Sequence, residues 1–287
     1  MRLASATALA VALILTLSKA LAWWLSGSVS LLASLTDSLL DSAASLLNLI
    51  AVHYALRPAD RDHRYGHGKA EALAGLGQAL LIGISALLVG AHGVERLLHP
   101  QPLGAQAVGI AVMLLSLALT AALLLFQRHV VRLTGSTAIQ ADSLHYRSDL
   151  LLNVSILLAL VLARYGWERL DAVCGIAIAV YILWSAAGIM RLAAGVLMDQ
   201  ELPDAVGAQM LMLARGVPGV LGAHDLRTRM SGIRWFVQLH LELPDQLNLI
   251  QAHELGERVA AAIREHYPQA EVLVHVDPAS VVAHVDD

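Results

Sequence analysis

Residues 138–163 read AIQADSLHYRSDLLLNVSILLALVLA, a stretch long enough to cross a lipid bilayer as a helix. A spanning helix needs about 20 mostly apolar residues. This stretch nevertheless carries an imidazole and a carboxylate four positions apart, at His145 and Asp149. Charged groups at the centre of a bilayer are costly, at about 2.5–3.5 kcal/mol each on insertion scales. The stretch therefore predicts a membrane protein with a functional polar site inside the membrane.

A second such stretch, residues 29–55, carries Asp37 and Asp41 four positions apart. Four residues are just over one helical turn, so each pair projects from one face of its helix. At about 1.5 Å per residue along antiparallel helices, Asp37 comes level with Asp149 and Asp41 with His145. The sequence thus predicts that four oxygen and nitrogen ligands meet within the bilayer. Asp142 lies nearer the inner interface, and we expect it to be solvated.

The composition of the whole chain is that of a membrane protein. Of its 287 residues, 57% are hydrophobic and 15% are charged, and the mean hydropathy is +0.64. These values fall outside the range of ordinary soluble domains. We expect six transmembrane helices within residues 1–198, at about 3–25, 29–55, 72–97, 106–127, 138–163 and 171–192. The net charge of −4 offers no basic face for a nucleic acid.

The basic residues of the loops predict the orientation of the helices, because loops rich in Lys and Arg stay in the cytoplasm. One side of the predicted bundle holds Arg2, Arg57, Arg61, Arg64, Lys69, Arg128, Arg132 and Arg191. The other side holds Arg96, Arg164 and Arg169. We therefore expect both termini in the cytoplasm.

The composition changes at about Asp199, and residues 199–287 predict a separate cytoplasmic domain. Residues 204–216 and 249–266 have helical patterns, whereas 233–243 alternate with the period of a strand. Further strands are predicted at about 220–230 and 272–276. The resulting order α-β-β-α-β predicts a small two-layer α+β domain.

The predicted intramembrane ligands favour a divalent transition metal. Four carboxylate and imidazole donors suit tetrahedral Zn²⁺, and the single cysteine, Cys174, lies in an apolar run away from them. The alternative is that these groups relay protons or join helices without a metal. A membrane metallohydrolase would need a His-Glu-x-x-His run, which the sequence lacks. A metal sensor that transports nothing remains an alternative.

Two further groups of residues offer metal ligands outside the predicted spans. His63 and His67 follow the carboxylates Asp60 and Asp62 in the loop after the second span. The C-terminal region holds five ligand-type residues, His224, His240, His253, His275 and Asp277. His275 and Asp277 are two residues apart on a strand, so they share one side of it and can share a metal.

Several runs of the sequence resemble the cation diffusion facilitator family, and the resemblance covers nearly the whole chain. Within that family, the chain is most similar to bacterial transporters that export zinc and ferrous iron. The runs are GSVS at 27–30, DSLLD at 37–41, YGHGKAE at 65–71, DSLHYRSD at 142–149, GAHDLRT at 222–228 and HVDP at 275–278.

The resemblance implies a homodimer in the bacterial inner membrane, with six helices and a metallochaperone-like (ferredoxin-like) cytoplasmic domain in each protomer. It implies a secondary transporter, not an enzyme, that exchanges Zn²⁺, and also Cd²⁺ and Fe²⁺, for H⁺. Zn²⁺ would be both cargo and regulator.

The resemblance also implies a role for each group of candidate residues. A transport site would consist of Asp37, Asp41, His145 and Asp149, and a loop site of Asp60, His63 and His67. A binuclear zinc site would consist of His224, His240, His253, His275 and Asp277. Lys69 and Asp199 would form a charge interlock that holds the dimer together.

Overall fold

The structure is a computed structural model that describes residues 1–26, 29–98, 107–163 and 170–282. The side chain of Asp37 is not among those described, although its backbone is. Arg164 and Arg169 of the orientation argument, and Gly27 and Ser28 of the first family run, lie outside the described residues.

Six long helices occupy the first two thirds of the chain: α1 Arg2–Ser26, α2 Val29–Ala55, α3 Lys69–Leu98, α4 Ala107–Thr134, α5 Thr137–Ala163 and α6 Leu170–Leu197. Among the described residues, four of them (α1, α3, α4 and α6) are long and apolar enough to cross a membrane. Helices α2 and α5 are each 27 residues long, but charged and polar side chains interrupt their apolar surfaces. The crossing of α2 and α5 therefore stays a prediction.

The described chain falls into two compact units. The first comprises Met1–Pro58 and Lys69–Ala194, and the second comprises Ala59–Gly68 and Gly195–Asp287. The short segment after α2 thus belongs with the C-terminal unit. The expected domain boundary between residues 198 and 199 stays a prediction.

Buried hydroxyl groups hold α1, α2 and α5 together within the first unit. Thr16 of α1 donates to the backbone oxygen of Ser38 on α2 at 2.9 Å. The buried Tyr146 of α5 donates to the backbone oxygen of Ala8 on α1 at 3.1 Å, and its hydroxyl lies 2.8 Å from that of Ser45 on α2. Such polar contacts join helices where apolar packing alone gives little specificity. They fix the face that α5 presents to α2.

The start of α5 is fixed by a carboxylate from α3. Glu71 is buried, and it accepts hydrogen bonds from the hydroxyl of Ser136 and from the backbone N–H groups of Thr137 and Ala138. The first N–H groups of a helix have no partners within the helix, and the helix dipole favours a negative charge there. Glu71 therefore caps α5 from a neighbouring helix.

The second unit has its elements in the predicted order: α7 Asp204–Arg215, β1 Gly222–Ser231, β2 Arg234–Leu243, α8 Leu249–His266 and β3 Ala270–Pro278. The strand order in the sheet is β1-β2-β3, with β1 antiparallel and β3 parallel to β2. A tight turn joins β1 to β2, where Gly232 adopts a φ of +60° that favours glycine. Helix α8 makes the crossover that a parallel pair requires.

One face of the sheet carries the core of the second unit. The alternating residues Val237, Leu239 and Leu241 of β2 are buried. They belong to one cluster with Val259 and Ile263 of α8. Because side chains alternate along a strand, the residues between them lie on the opposite face. The helices therefore cover one face and leave His240 and its neighbours on the other.

We predict that Leu241→Ala destabilises the second unit by about 2–5 kcal/mol, because it removes a fully buried side chain and leaves a cavity. Leu273→Ala is the matched control, since this leucine of β3 is 64% exposed. Hydrogen exchange of the strand amides in the full-length protein measures the effect. Equal loss of protection in both variants would show that Leu241 does not belong to the hydrophobic core of the second unit.

Candidate metal sites

Three predicted ligands meet inside the first unit. Nε2 of His145 on α5 lies 2.9 Å from Oδ1 of Asp41 on α2 and 3.6 Å from Oδ2 of Asp149 on α5. Each residue offers one ligand atom, and these three atoms all lie within 4.8 Å of one another. The spacing of four residues places His145 and Asp149 on one face of α5, as predicted.

The ring nitrogen at the centre of this membrane cluster is short of hydrogen bonds. Nε2 of His145 is buried and forms no hydrogen bond of normal geometry in the described part of the chain. Its approach to Asp41 is thus a contact of polar atoms without hydrogen-bond alignment. A buried polar atom without a hydrogen bond is unfavourable. A metal ion held between the imidazole and the carboxylates would give each of these groups a partner.

Two cavities adjoin the membrane cluster. One, of about 240 Å³, is lined by Asp41 and Asp149 together with Lys19, Ser38 and Asn153. The other, of about 330 Å³, is lined by Asp41, His145, Asp149, Ser85 and Ser148 among others. The carboxylates of Asp41 and Asp149 therefore adjoin open space on two sides.

The fourth predicted member of the quartet, Asp37, lies one turn before Asp41 on α2. Because its side chain is outside the described residues, its place among the ligands stays a prediction.

Lys19 is a charged residue at this site that the sequence reasoning did not single out. Its Nζ donates to Oγ of Ser38 at 2.6 Å and to the backbone oxygen of Ser34 at 3.4 Å. The sequence could have revealed it, because Lys19 lies within the apolar first span, and ionisable residues inside a membrane usually have a function.

Asp142 is buried, not solvated as expected. It is 1% exposed, and its two carboxylate oxygens accept hydrogen bonds from Nε2 of Gln78 on α3 at 3.1 Å and from Nε2 of Gln127 on α4 at 2.7 Å. The depth count along α5 could not reveal this, because both partners belong to other helices. Asp142 joins three helices one turn before His145.

The loop ligands Asp60, His63 and His67 meet in the second unit. Oδ2 of Asp60 lies 3.2 Å from Nε2 of His67, and Oδ1 lies 3.3 Å from Nδ1 of His63. The backbone N–H of His63 donates to Asp60 at 2.7 Å and holds the pKa of this carboxyl below its usual range, although desolvation acts in the opposite direction. The N–H of Asp62 and the two imidazoles add to the shift. Asp60 therefore stays ionised to a lower pH than an ordinary aspartate, and a carboxylate must be ionised to bind a metal.

The segment that carries these ligands packs against the sheet of the second unit. The ring of Tyr65 meets that of Phe236 edge-on at 5.4 Å, and the guanidinium of Arg229 lies 4.5 Å from the centre of the Tyr65 ring. A Cβ on Gly68 would collide with the backbone oxygen of Ser231. Glycine is required at this close approach, which holds the segment next to the turn between β1 and β2.

The strand register places three imidazoles in one row across the sheet. His224 of β1 pairs with His240 of β2, which pairs with His275 of β3. The ring centres of His224 and His240 are 5.5 Å apart, and those of His240 and His275 are 4.5 Å apart. Directly paired residues on adjacent strands share a face. The row thus lies on the face opposite the hydrophobic core.

Asp277 lies at the centre of this sheet cluster. Its Oδ2 is 2.8 Å from Nδ1 of His240, and its Oδ1 is 3.1 Å from Nε2 of His275. His224, His240 and Asp277 each offer one ligand atom, and these three atoms all lie within 4.8 Å of one another. A carboxylate that faces two imidazoles through separate oxygens can bridge two metal ions.

Two further carboxylates adjoin the row, and the sequence reasoning missed both. Oε1 of Glu242 lies 3.0 Å from Nδ1 of His224, and Oδ2 of Asp225 lies 3.6 Å from Nε2 of His240. Glu242 could have been found, because it follows His240 by two positions on β2. Asp225 sits where the register shifts, with a φ of +44°, and such an irregularity has no simple sequence pattern.

The structure does not bring His253 to this cluster. It is exposed on α8, and none of the ion pairs and ring contacts described for the sheet cluster includes it. Lys69 begins α3 in the first unit, and Asp199 accepts from Nη1 of Arg229 at 3.3 Å in the second. The roles of His253, Lys69 and Asp199 stay predictions.

Three features define the class of this protein: apolar helices long enough to span a membrane, a carboxylate-imidazole cluster among them, and a separate unit with a row of imidazoles. Together they are typical of membrane proteins that handle metal ions. Comparison with known proteins gives the family. Residues 5–198 match the family described as cation efflux transmembrane domain, and residues 202–279 match the cytoplasmic domain of cation efflux proteins. The chain therefore belongs to the cation diffusion facilitator family, and the predicted resemblance is confirmed.

Similar curated proteins cover almost the whole chain. The cation-efflux pump FieF of Klebsiella pneumoniae is 49% identical over 278 residues, which are 97% of this chain and 92% of the relative. The FieF pump of Citrobacter koseri is 49% identical over 284 residues, 98% of this chain and 95% of the relative. These relatives place the chain in the FieF type of the family.

Among solved structures, MamM-CTD is 29% identical to this chain, with a TM-score of 0.25, and the match covers 26% of this chain and 96% of that one. A nickel form of a MamM CTD variant is 28% identical, with a TM-score of 0.26 over 26% of this chain and 98% of that one.

We predict that Asp277→Asn lowers zinc binding by the sheet cluster at least about tenfold, because it removes one of the two carboxylate oxygens that face His240 and His275. Glu271→Gln, an exposed position of the same strand, is the control for loss of one negative charge. Titration of the full-length protein with Zn²⁺ measures the change. Unaltered zinc affinity of Asp277→Asn would remove Asp277 from the ligands.

Proposed function

We propose that this protein exports divalent transition metal ions from the cytoplasm in exchange for protons. The observation that carries the proposal is the meeting of Asp41, His145 and Asp149 from two helices inside the helical unit. The FieF relatives, which are cation-efflux pumps, support the direction of transport. Zn²⁺ is the proposed main substrate, with Cd²⁺ and Fe²⁺ as further substrates.

The proposal requires α2 and α5 to cross the membrane beside the four apolar helices. Both are 27 residues long, about 40 Å at 1.5 Å per residue, which exceeds a hydrocarbon core of about 30 Å. Their charged residues turn toward each other, and Tyr146 bonds α5 to its neighbours inside the bundle. Six spans in residues 1–198 put both termini on one side, which the basic loops assign to the cytoplasm of an inner-membrane protein.

The donor set favours zinc and similar metals as cargo. Among the described residues, the membrane cluster contains oxygen and nitrogen donors and no sulfur. Two carboxylates and one imidazole match the borderline character of Zn²⁺, and Asp37 would complete a tetrahedral set. Thiolate-seeking Cu⁺ would find no ligand of its preferred kind.

Protons and the metal ion compete for the same ligand atoms. Metal binding requires a neutral imidazole and ionised carboxylates, so a proton on His145 or Asp41 opposes it. Cytoplasmic metal would enter the deprotonated cluster, and protons from the other side would expel it once the bundle has reoriented. The two cavities beside Asp41 and Asp149 support access of ions and water to the cluster.

The clusters of the second unit would act as metal sensors in a homodimer. The match to the cation efflux cytoplasmic domain supports this assignment to residues 199–287. Metal bound at the sheet cluster would favour the transport-competent state, provided that the two states differ in metal affinity. His253, the loop ligands and the interlock of Lys69 with Asp199 would contribute to this state.

Asp277→Asn should therefore raise the metal concentration needed for half-maximal transport while leaving the membrane cluster intact. Flux measured over a range of metal concentrations, with Glu271→Gln as control, tests the sensor. An unchanged concentration dependence contradicts it.

The transport activity itself can be measured as zinc flux into proteoliposomes. Asp41→Asn should lower flux at least about 100-fold, since loss of a direct ligand exceeds the 10–100-fold effect of outer-shell groups. Glu95→Gln, an exposed carboxylate on α3 in the same unit, should keep wild-type flux. Zinc binding without flux in the wild type would favour a sensor that transports nothing.

The pH dependence has a definite sign in the same assay. Acidifying the side that releases metal should speed zinc flux, because protons there displace the ion from His145 and the carboxylates. Acidifying the side that binds metal should slow it. Flux that ignores the gradient would contradict proton exchange while leaving metal export in place.

A further inference from the structure

A groove with four arginines lies between α4, α5 and α6, apart from the metal ligands. This arginine groove has a volume of about 420 Å³. Its arginines are Arg128 and Arg132 of α4, Arg147 of α5 and Arg191 of α6. It lies at the end of the bundle that holds the C-terminal ends of α4 and α6.

No described carboxylate balances the positive charge of the groove. All four arginines are exposed, and the residues that line the groove include no carboxylate. In the described part of the chain, the ion pairs made by arginines belong to Arg227, Arg229 and Arg264 in the second unit. Nη1 of Arg147 donates a hydrogen bond to the uncharged hydroxyl of Tyr181 at 3.1 Å.

The groove is unsuited to the metal substrate. Four guanidinium groups repel a divalent cation, and none of Asp41, His145 and Asp149 lines the groove. Leu144 and Ile189, both almost fully buried, also belong to its lining. An anion is the complementary ligand, because guanidinium groups bind phosphate oxygens through paired, charge-assisted hydrogen bonds.

The walls of the groove add an apolar surface to this charge. Trp184 of α6 is 76% exposed, and Val131 of α4 also lines the groove. Basic pockets between transmembrane helices bind the headgroups of anionic lipids. A ligand with a phosphate at one end and acyl chains at the other matches both features.

We propose that the arginine groove binds the phosphate of an anionic phospholipid, such as phosphatidylglycerol. The proposal rests on the membrane crossing and orientation given above, which place this end of the bundle at the cytoplasmic leaflet. The bound lipid fills the space between α6 and the α4–α5 pair, beside Leu144 and Arg147 of α5. The site is a lipid site in its own right and takes no part in holding the metal.

Native mass spectrometry of the full-length protein tests this site with phosphatidylglycerol and, as a zwitterionic probe, phosphatidylcholine with the same acyl chains. Wild type should retain phosphatidylglycerol in preference. The double variant R128Q/R191Q should bind it about thirtyfold more weakly, given the contribution of each basic residue near anionic lipid. The double variant R2Q/R57Q removes the same charge from exposed arginines outside the groove and should bind as wild type.

Three further results decide the interpretation. R128K/R191K restores the charge but not the paired hydrogen bonds of guanidinium, so it should bind between R128Q/R191Q and wild type. A fold defect is recognised by a lower melting temperature. Inorganic phosphate at the lipid concentration should not displace phosphatidylglycerol, and displacement would mean that the groove takes a free anion. Equal lipid binding by R128Q/R191Q and R2Q/R57Q would overturn the proposal. No metal is used, so the result is independent of whether the protein exports zinc.

Discussion

The pairing of Asp41 on α2 with His145 on α5 is the constraint on which the rest of the membrane unit depends. Neither group can face lipid at acceptable energy, so the two helices must turn these faces toward each other. Tyr146, the next residue along α5, is bonded to α1 and α2 and fixes that rotation. Asp142 does the same toward α3 and α4 through two glutamine amides. The polar face of α5 thus organises the bundle and also presents the ligands.

The second unit places its ligands by a different rule. A helix brings ligands together through the spacing of four residues, whereas the sheet does so through strand register. His224, His240 and His275 come from distant parts of the chain, yet register alone aligns them in one row. The buried alternation of Val237, Leu239 and Leu241 fixes that register, because a shift by one residue would exchange the two faces. Core packing on one face therefore determines the geometry of the ligands on the other.

Sequence reasoning succeeded where local periodicity decides the outcome. The helices of the bundle follow from the length of their apolar runs. The α-β-β-α-β order and the shared faces of His145 with Asp149 and of His275 with Asp277 follow from periods of 3.6 and 2 residues. It failed where partners are distant. The burial of Asp142 depends on Gln78 and Gln127 of other helices, and the position of Asp225 depends on a local shift of register. The approach of the segment 59–68 to the sheet also lies beyond any local pattern.

Location of bound zinc tests the central claim most directly. Anomalous scattering at the zinc edge, measured on crystals of the full-length protein grown with Zn²⁺, would reveal each metal position. The account predicts a peak between α2 and α5, about 2.0–2.2 Å from Nε2 of His145 and from carboxylate oxygens of Asp41 and Asp149. Peaks confined to the second unit, with the membrane cluster ordered and empty, would contradict it.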